Sequence, residues 1–237
     1  MSALLVFARC IGFAFRAPGF SHPSVTPSVR AGLALFLTLC IAPSARAGPL
    51  SNDAVALLFA FVTEFLLGAA IGMAASVVYD AAYAGGRAVD DYVGVKAIAP
   101  SLQLVAPSGF GRVWSLAYTG GFFLSGADRI TVAAFAQSFA RIAPGSAAGT
   151  HDWAAYVAGM LTTIVTVALM VAGPALGLAF VVQLAVGALS RAVPRFGSFT
   201  LAFPLAFAAA VIATALAVPS LARHAAVPVL AIPWAMP

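Results

Sequence analysis

Charge is scarce in this 237-residue chain. Charged residues make up 8% of it, with one lysine, Lys96, and one glutamate, Glu64; an ordinary soluble domain carries about 25%. Apolar residues make up 62%, and the mean hydropathy is +1.03. So little charge cannot keep a monomer dissolved. A free soluble domain is therefore excluded, and a membrane protein or a subunit covered by other protein is expected. The net charge is +5, but the arginines stand singly, with no basic cluster and no interleaving of aromatic and basic residues. They suit interfacial anchors or topology signals better than a phosphate-binding patch, and nucleic acid is not an expected partner.

Cysteine is scarcer still, with two residues. Cys10 and Cys40 each lie inside an apolar run, which excludes a disulfide framework and a metal site and leaves small packing residues. His22, His151 and His224 are isolated. The H-E-x-x-H, C-x-x-C, P-loop and G-x-S-x-G motifs are all missing. Asp90 and Asp91 are adjacent, so on a helix they point about 100° apart, a poor acid–base pair; they are expected to be solvated or to pair with Arg87 and Lys96. No enzyme, metal or cofactor is expected. The N-terminus has no basic region ahead of its first apolar run. Although Ala45-Arg46-Ala47 fits a cleavage pattern, residues 1–47 are therefore expected to be retained structure rather than a signal peptide.

What is present is organised around Tyr79–Val113. This stretch holds Asp80, Asp90, Asp91, Lys96, Arg87 and Arg112, a glycine pair and two prolines, between two nearly uncharged blocks. It reads as a loop or plug in a membrane-associated helical protein.

Ahead of it, Leu4–Phe20 is a helix candidate. Arg9 and Arg16 lie seven apart on one face. Their cost against lipid is met either by snorkelling or by turning the face toward protein or water. Arg30 and Arg46 bracket 15 uncharged residues ending near Pro43; about 12 helical residues reach roughly 18 Å, too short for a hydrocarbon core about 30 Å thick. Ser51-Asn52-Asp53 offers an N-cap for Ala54–Tyr79, 26 residues with one charge, Glu64. Within that run Glu64 needs a partner, a proton or water, and an ion pair or hydrogen bond to a neighbouring helix is expected. Gly68 and Gly72 form a step suited to close helix approach.

Behind it, Val113–Ala127 is uncharged. Ile130–Ile142 is amphipathic, with Val132, Phe135, Phe139 and Ile142 on one face and Gln137, Ser138 and Arg141 away from it. Trp153–Ser190 runs 38 residues without a charge, and Gly173-Pro174 is its natural break, giving two helices or one kinked helix. Phe196–Ala222 is a last uncharged run. These segments do not tile into regular spans, so protein rather than lipid is expected to cover some of them.

Several blocks together resemble the FliR/SctT family of type III secretion export-gate subunits. They are LLVFARCIGFAFRAPGF with VTPSVRAGLALFLTLCIAP, EFLLGAAIG (Glu64–Gly72), FFLSGAD with FAQSFARIAPG (Phe122–Gly145), and LAVGALSRAVPRFGSFTLAFPL (Leu184–Leu205). No one block is specific; their shared order is. Gln183 stands where the family often has Asp, the family's central Asp-Pro pair has no clear equivalent, and Ser125-Gly126-Ala127 replaces a common flagellar Asn-Gly-His. Val89–Gly94 looks more like the injectisome branch than the flagellar one.

The resemblance implies an all-α, membrane-associated helical-hairpin subunit of a closed helical assembly in the bacterial inner membrane. Residues 1–150 would be an N-terminal helical part with the plug segment 80–112, and residues 151–237 a C-terminal helical hairpin part. The partners implied are two smaller export-gate subunits in several copies each, the switch and export-gate membrane proteins, and unfolded secreted substrates. The matching plug positions lie within Val93–Val105, with Val95, Ile98, Leu102 and Leu104 sealing the channel and Gly94 and Pro100 letting it rearrange. Arg9, Arg16 and Glu64 are the expected buried polar or partner contacts. The alternative is a stand-alone small-molecule transporter, which needs charges at mid-membrane.

Overall fold

The structure is a computed structural model describing residues 2–21, 25–45, 53–94, 109–146, 153–192 and 199–221. Every regular element among them is an α-helix: α1 (Ser2–Arg16), α2 (Pro27–Ile41), α3 (Ala54–Val93), α4 (Gly109–Leu124), α5 (Ala127–Arg141), α6 (Trp153–Ala192) and α7 (Phe199–Leu221). The fold is all-α, as expected.

Local chemistry sets most of the ends. Pro18 cannot continue α1, and Gly19 follows at a φ of 81°. Pro27 opens α2, where its missing N–H costs nothing. The Asp53 carboxylate accepts the Val55 N–H at 3.2 Å and caps α3. Gly94, at a φ of 84°, takes the left-handed position after α3. Asp128 and Arg141 stand at the dipole-favoured ends of α5.

One reading of the sequence changes. The charged half of the central stretch, Asp80–Asp91, is not loop but the end of α3, which runs unbroken for 40 residues. At 1.5 Å per residue that is about 60 Å, twice a hydrocarbon core, so its charged end has room beyond the lipid. The glycine pair does not break the helix because it serves packing. A Cβ on Gly85 would come 2.6 Å from the Ala168 carbonyl oxygen, and one on Gly86 would come 2.6 Å from the Gly111 backbone. Of the two readings offered for the 38-residue run, the single helix holds: α6 is one helix of 40 residues with Pro174 inside it. In an apolar setting, freeing further backbone groups costs more than accommodating one proline.

Among the described residues, three helices are long and apolar enough to cross a membrane: α3, α6 over Tyr156–Ala192, and α7 over Ala202–Pro219. α2 is apolar but shorter.

The chain divides into two compact units. The first contains α1, α2, α3 up to Val77, α5 and the start of α6. Its core holds Val6, Cys10, Phe13, Leu67, Ile71, Phe135 and Phe139. Phe13 stacks on Phe135 with ring centroids 4.2 Å apart, and Phe139 meets Phe135 edge-on at 5.4 Å. Cys10 is a buried packing residue, and burial pushes its thiol up to about 11. α1 meets α3 backbone to backbone. A side chain on Gly12 would collide with the Phe65 carbonyl, one on Gly68 with the Arg9 carbonyl, and one on Gly72 would come 2.7 Å from the Phe13 carbonyl oxygen. The glycine step read from the sequence is thus the seat of α1.

The second unit contains α3 from Val78, α4, α6 from Leu161, and α7. Its core joins Val89, Val93 and Phe110 to Ala172, Ala175, Ala179, Ala206 and Ala210. Alanine at these positions lets the helices approach closely.

Candidate functional site

In the first unit, Arg9 and Glu64 are both entirely buried. Arg9 sits one turn before Phe13, on the face of α1 that the glycine contacts press onto α3, and Glu64 sits one turn before Gly68. Arg9 Nε donates to Glu64 Oε2 at 2.6 Å, a charge-assisted bond at the short end of its range. The rest of the guanidinium is also engaged: Nη1 donates to Ser138 Oγ at 3.3 Å and Nη2 to the Ile142 carbonyl at 3.1 Å. The Phe139 ring lies under it, with Cζ 4.3 Å from the centroid. Glu64 Oε1 in turn accepts the Gly145 N–H at 2.9 Å.

A buried charge pair is tolerable only when its remaining hydrogen-bonding capacity is met, and this one ties α1, α3, the end of α5 and the turn beyond it into one network. Glu64 has the neighbouring-helix partner its position called for. The earlier reading of Ser138 is corrected: it is buried with Phe135 and Phe139, not turned away from them, because its hydroxyl serves Arg9. Arg16 is half-buried and lines an apolar groove of about 580 Å³ with Phe15, Phe65, Met73 and Tyr156. The Tyr156 hydroxyl donates to the Ala70 carbonyl within the same unit.

In the second unit, the ends of the central segment are described and its middle is not. Gly94 closes α3. Val95, Ile98, Pro100, Leu102 and Leu104 lie outside the described residues. Asp90 is buried rather than solvated, at 2% exposure. Its Oδ1 accepts the Phe110 N–H at 3.4 Å, serving the open first turn of α4 from a residue 20 positions upstream. Asp91, one residue on, is exposed. The adjacent acids are separated by helix geometry into one structural group and one surface group. The sequence reading put Ser138 on the wrong face, noted the glycine pair without its packing role and gave Gly145 no role; the signals available were a hydroxyl amid aromatics, the glycine pair, and a Pro-Gly turn.

Residues 1–229 match the family model described as bacterial export proteins, family 1. The chain belongs to this family. The match spans nearly the whole sequence and agrees with the FliR/SctT resemblance carried by the four collinear blocks. Among curated proteins, the chain is similar to the flagellar biosynthetic protein FliR of Bacillus subtilis (strain 168), 28% identical over 213 residues, which cover 86% of this chain and 81% of that protein. This member of the bacterial export proteins is a multi-pass component of a type III secretion or flagellar export apparatus in the inner membrane, with other membrane subunits beside it in the export gate.

Proposed function

We propose that the chain forms part of the wall and seal of the export-gate pore, through which unfolded substrate proteins cross the inner membrane. It does so with several copies each of two smaller gate subunits. The observation that carries this reading is uncovered apolar surface on helices too short to be solvated by lipid alone. On α2, 15 residues long, Leu35, Phe36 and Leu39 are 52–67% exposed. On α4, 16 residues long, Leu116 is 62% and Leu124 91% exposed. Helices of about 23 Å cannot match a bilayer about 30 Å thick, so neighbouring protein is their natural cover. A stand-alone transporter needs charges at mid-membrane, and Glu64, the acid the sequence offered for that role, is engaged by Arg9.

The sealing role falls to Val93–Val105, where the family resemblance locates the plug. The curated relative is flagellar, while Val89–Gly94 leans to the injectisome; a gating pore is common to both branches. Deleting Val93–Val105 in cells carrying the whole apparatus is expected to raise small-ion leakage across the inner membrane while the gate still assembles. An assembled gate with unchanged leakage would sink the plug assignment.

A further inference from the structure

Arg16 is the second arginine of the α1 stripe, and the Arg9 network makes no use of it. It stands half-buried in the last turn of α1. A Cβ on Gly72 would come 3.1 Å from the Arg16 Cβ, so the arginine stem starts against α3. From there the apolar groove of about 580 Å³ runs along α3 past Ala69 and Leu66 to Phe65, a volume within the range of small-molecule sites. Two of the described lining residues, Arg16 and Tyr156, carry polar groups. The Tyr156 hydroxyl is spent on the Ala70 carbonyl, which leaves Arg16 as the one charge among the described lining residues.

Helix length and the position of that charge say what covers the groove. α3 and α6, which supply most of its wall, are each long enough to cross a membrane. Lipid can therefore solvate them, as it cannot the shorter α2 and α4. Phe15, Leu66 and Val157 stand 49–56% exposed along the groove. α1 ends at Arg16, and the candidate span of α6 begins at Tyr156, tied to α3 at Ala70. Arginine and tyrosine at the ends of apolar segments are interfacial anchors. A guanidinium at the end of an apolar groove matches an amphiphile with an anionic head and a hydrocarbon tail, because its planar fork takes two phosphate oxygens side by side.

We propose that this groove is a binding site for an anionic phospholipid, with the phosphate on Arg16 and one acyl chain laid along Phe65, Leu66 and Ala69. A basic side chain at the mouth of a cleft between membrane helices selects for head-group charge. The apolar wall holds the chain without reading its chemistry. The site stands on the membrane placement of the chain and is independent of the plug.

The test uses the assembled gate, reconstituted in phosphatidylcholine vesicles doped with a photoactivatable lipid. The probe is phosphatidylglycerol with the reactive group on its acyl chain; phosphatidylcholine with the same chain is the comparison of no net charge. Labelled peptides are identified by mass spectrometry after irradiation. Phosphatidylglycerol is expected to label residues 65–73 and 156–157 about fivefold or more above phosphatidylcholine. Arg16→Gln is expected to bring the two lipids level, and Arg16→Lys to keep the preference, since the charge remains. Ala69→Phe fills the groove with Arg16 in place and is expected to remove labelling by both lipids; if it does not assemble, the two Arg16 variants decide. Equal labelling by the two lipids in the parent would mean ordinary bilayer lipid and would overturn the site. A groove that neither lipid labels is covered by neighbouring protein, which would overturn it as well. So would a phosphatidylglycerol preference that survives Arg16→Gln.

Discussion

At the scale of single residues, the first unit turns on one arginine. Arg9 and Glu64 are 55 positions apart, with no solvent on either. Removing one partner of a buried pair strands the other charge and costs about 3–5 kcal/mol. Arg9→Met and Glu64→Gln are each expected to lower the thermal unfolding midpoint of the detergent-solubilised gate and to reduce its yield. Replacing both by apolar residues of similar volume is expected to recover much of the loss, because no unpaired charge then remains. A double variant as damaged as the sum of the singles would mean the two side chains act independently. The sequence made it legible that Glu64 needed a partner, since a lone acid in 26 otherwise uncharged residues cannot be left bare. It did not identify the partner. Periodicity relates residues within a helix, whereas Arg9 and Gly145 reach Glu64, and Ser138 reaches Arg9, only through tertiary packing.

At the scale of elements, glycine decides where helices meet. Gly12, Gly68 and Gly72 let α1 lie on α3 with no side chain between the backbones, and Gly86 with Gly111 does the same for α3 and α4. By contrast, a Cβ on Gly32 of α2 would meet nothing within 4 Å. Gly32→Ala is therefore expected to leave stability unchanged or raise it by up to about 1 kcal/mol through helix propensity. Gly68→Ala is expected to lower it despite the same gain in propensity, by prising α1 from α3 and lengthening the Arg9–Glu64 contact. Unfolding midpoints of the two variants, compared side by side, check this; a Gly68→Ala protein as stable as Gly32→Ala would contradict the close approach.

Element positions were largely legible: α1, α2, α5 and α7 lie where apolar runs and prolines put them. The misplacement of Asp80–Asp91 came from treating glycine and charge as punctuation, and the alternative left open at Gly173-Pro174 came from treating proline in the same way. In Gly85-Gly86 and Gly173-Pro174 the residue that would end a soluble helix sits inside a long apolar one. The reasons are a close helix contact in the first case and the lack of water for freed backbone groups in the second.

At the scale of the whole molecule, the composition that excluded a soluble protein reappears as surface. Long helices present Leu58, Phe59, Leu161, Val165, Leu169 and Val181 at 58–65% exposure, suited to lipid on spans of sufficient length. The short α2 and α4 present comparable apolar faces without that length. Spacing alone showed that the segments were irregular; only the resemblance supplied the assembly that would cover them. The proposed seal rests on the resemblance rather than on physics alone, because the apolar residues of the sequence between Val93 and Val105 suit packing as well as gating.

The central claim, that this chain is one subunit of a larger pore, is tested most directly by the mass of the particle it forms. The chain should be purified from membranes after expression alone, and again with the two smaller gate subunits proposed as its partners, with native mass measured in each case. Co-expression is expected to yield one discrete complex containing several copies of both small subunits, and expression alone a low yield of heterogeneous material. A stable, monodisperse particle from the chain by itself, unchanged in mass by co-expression, would contradict the account.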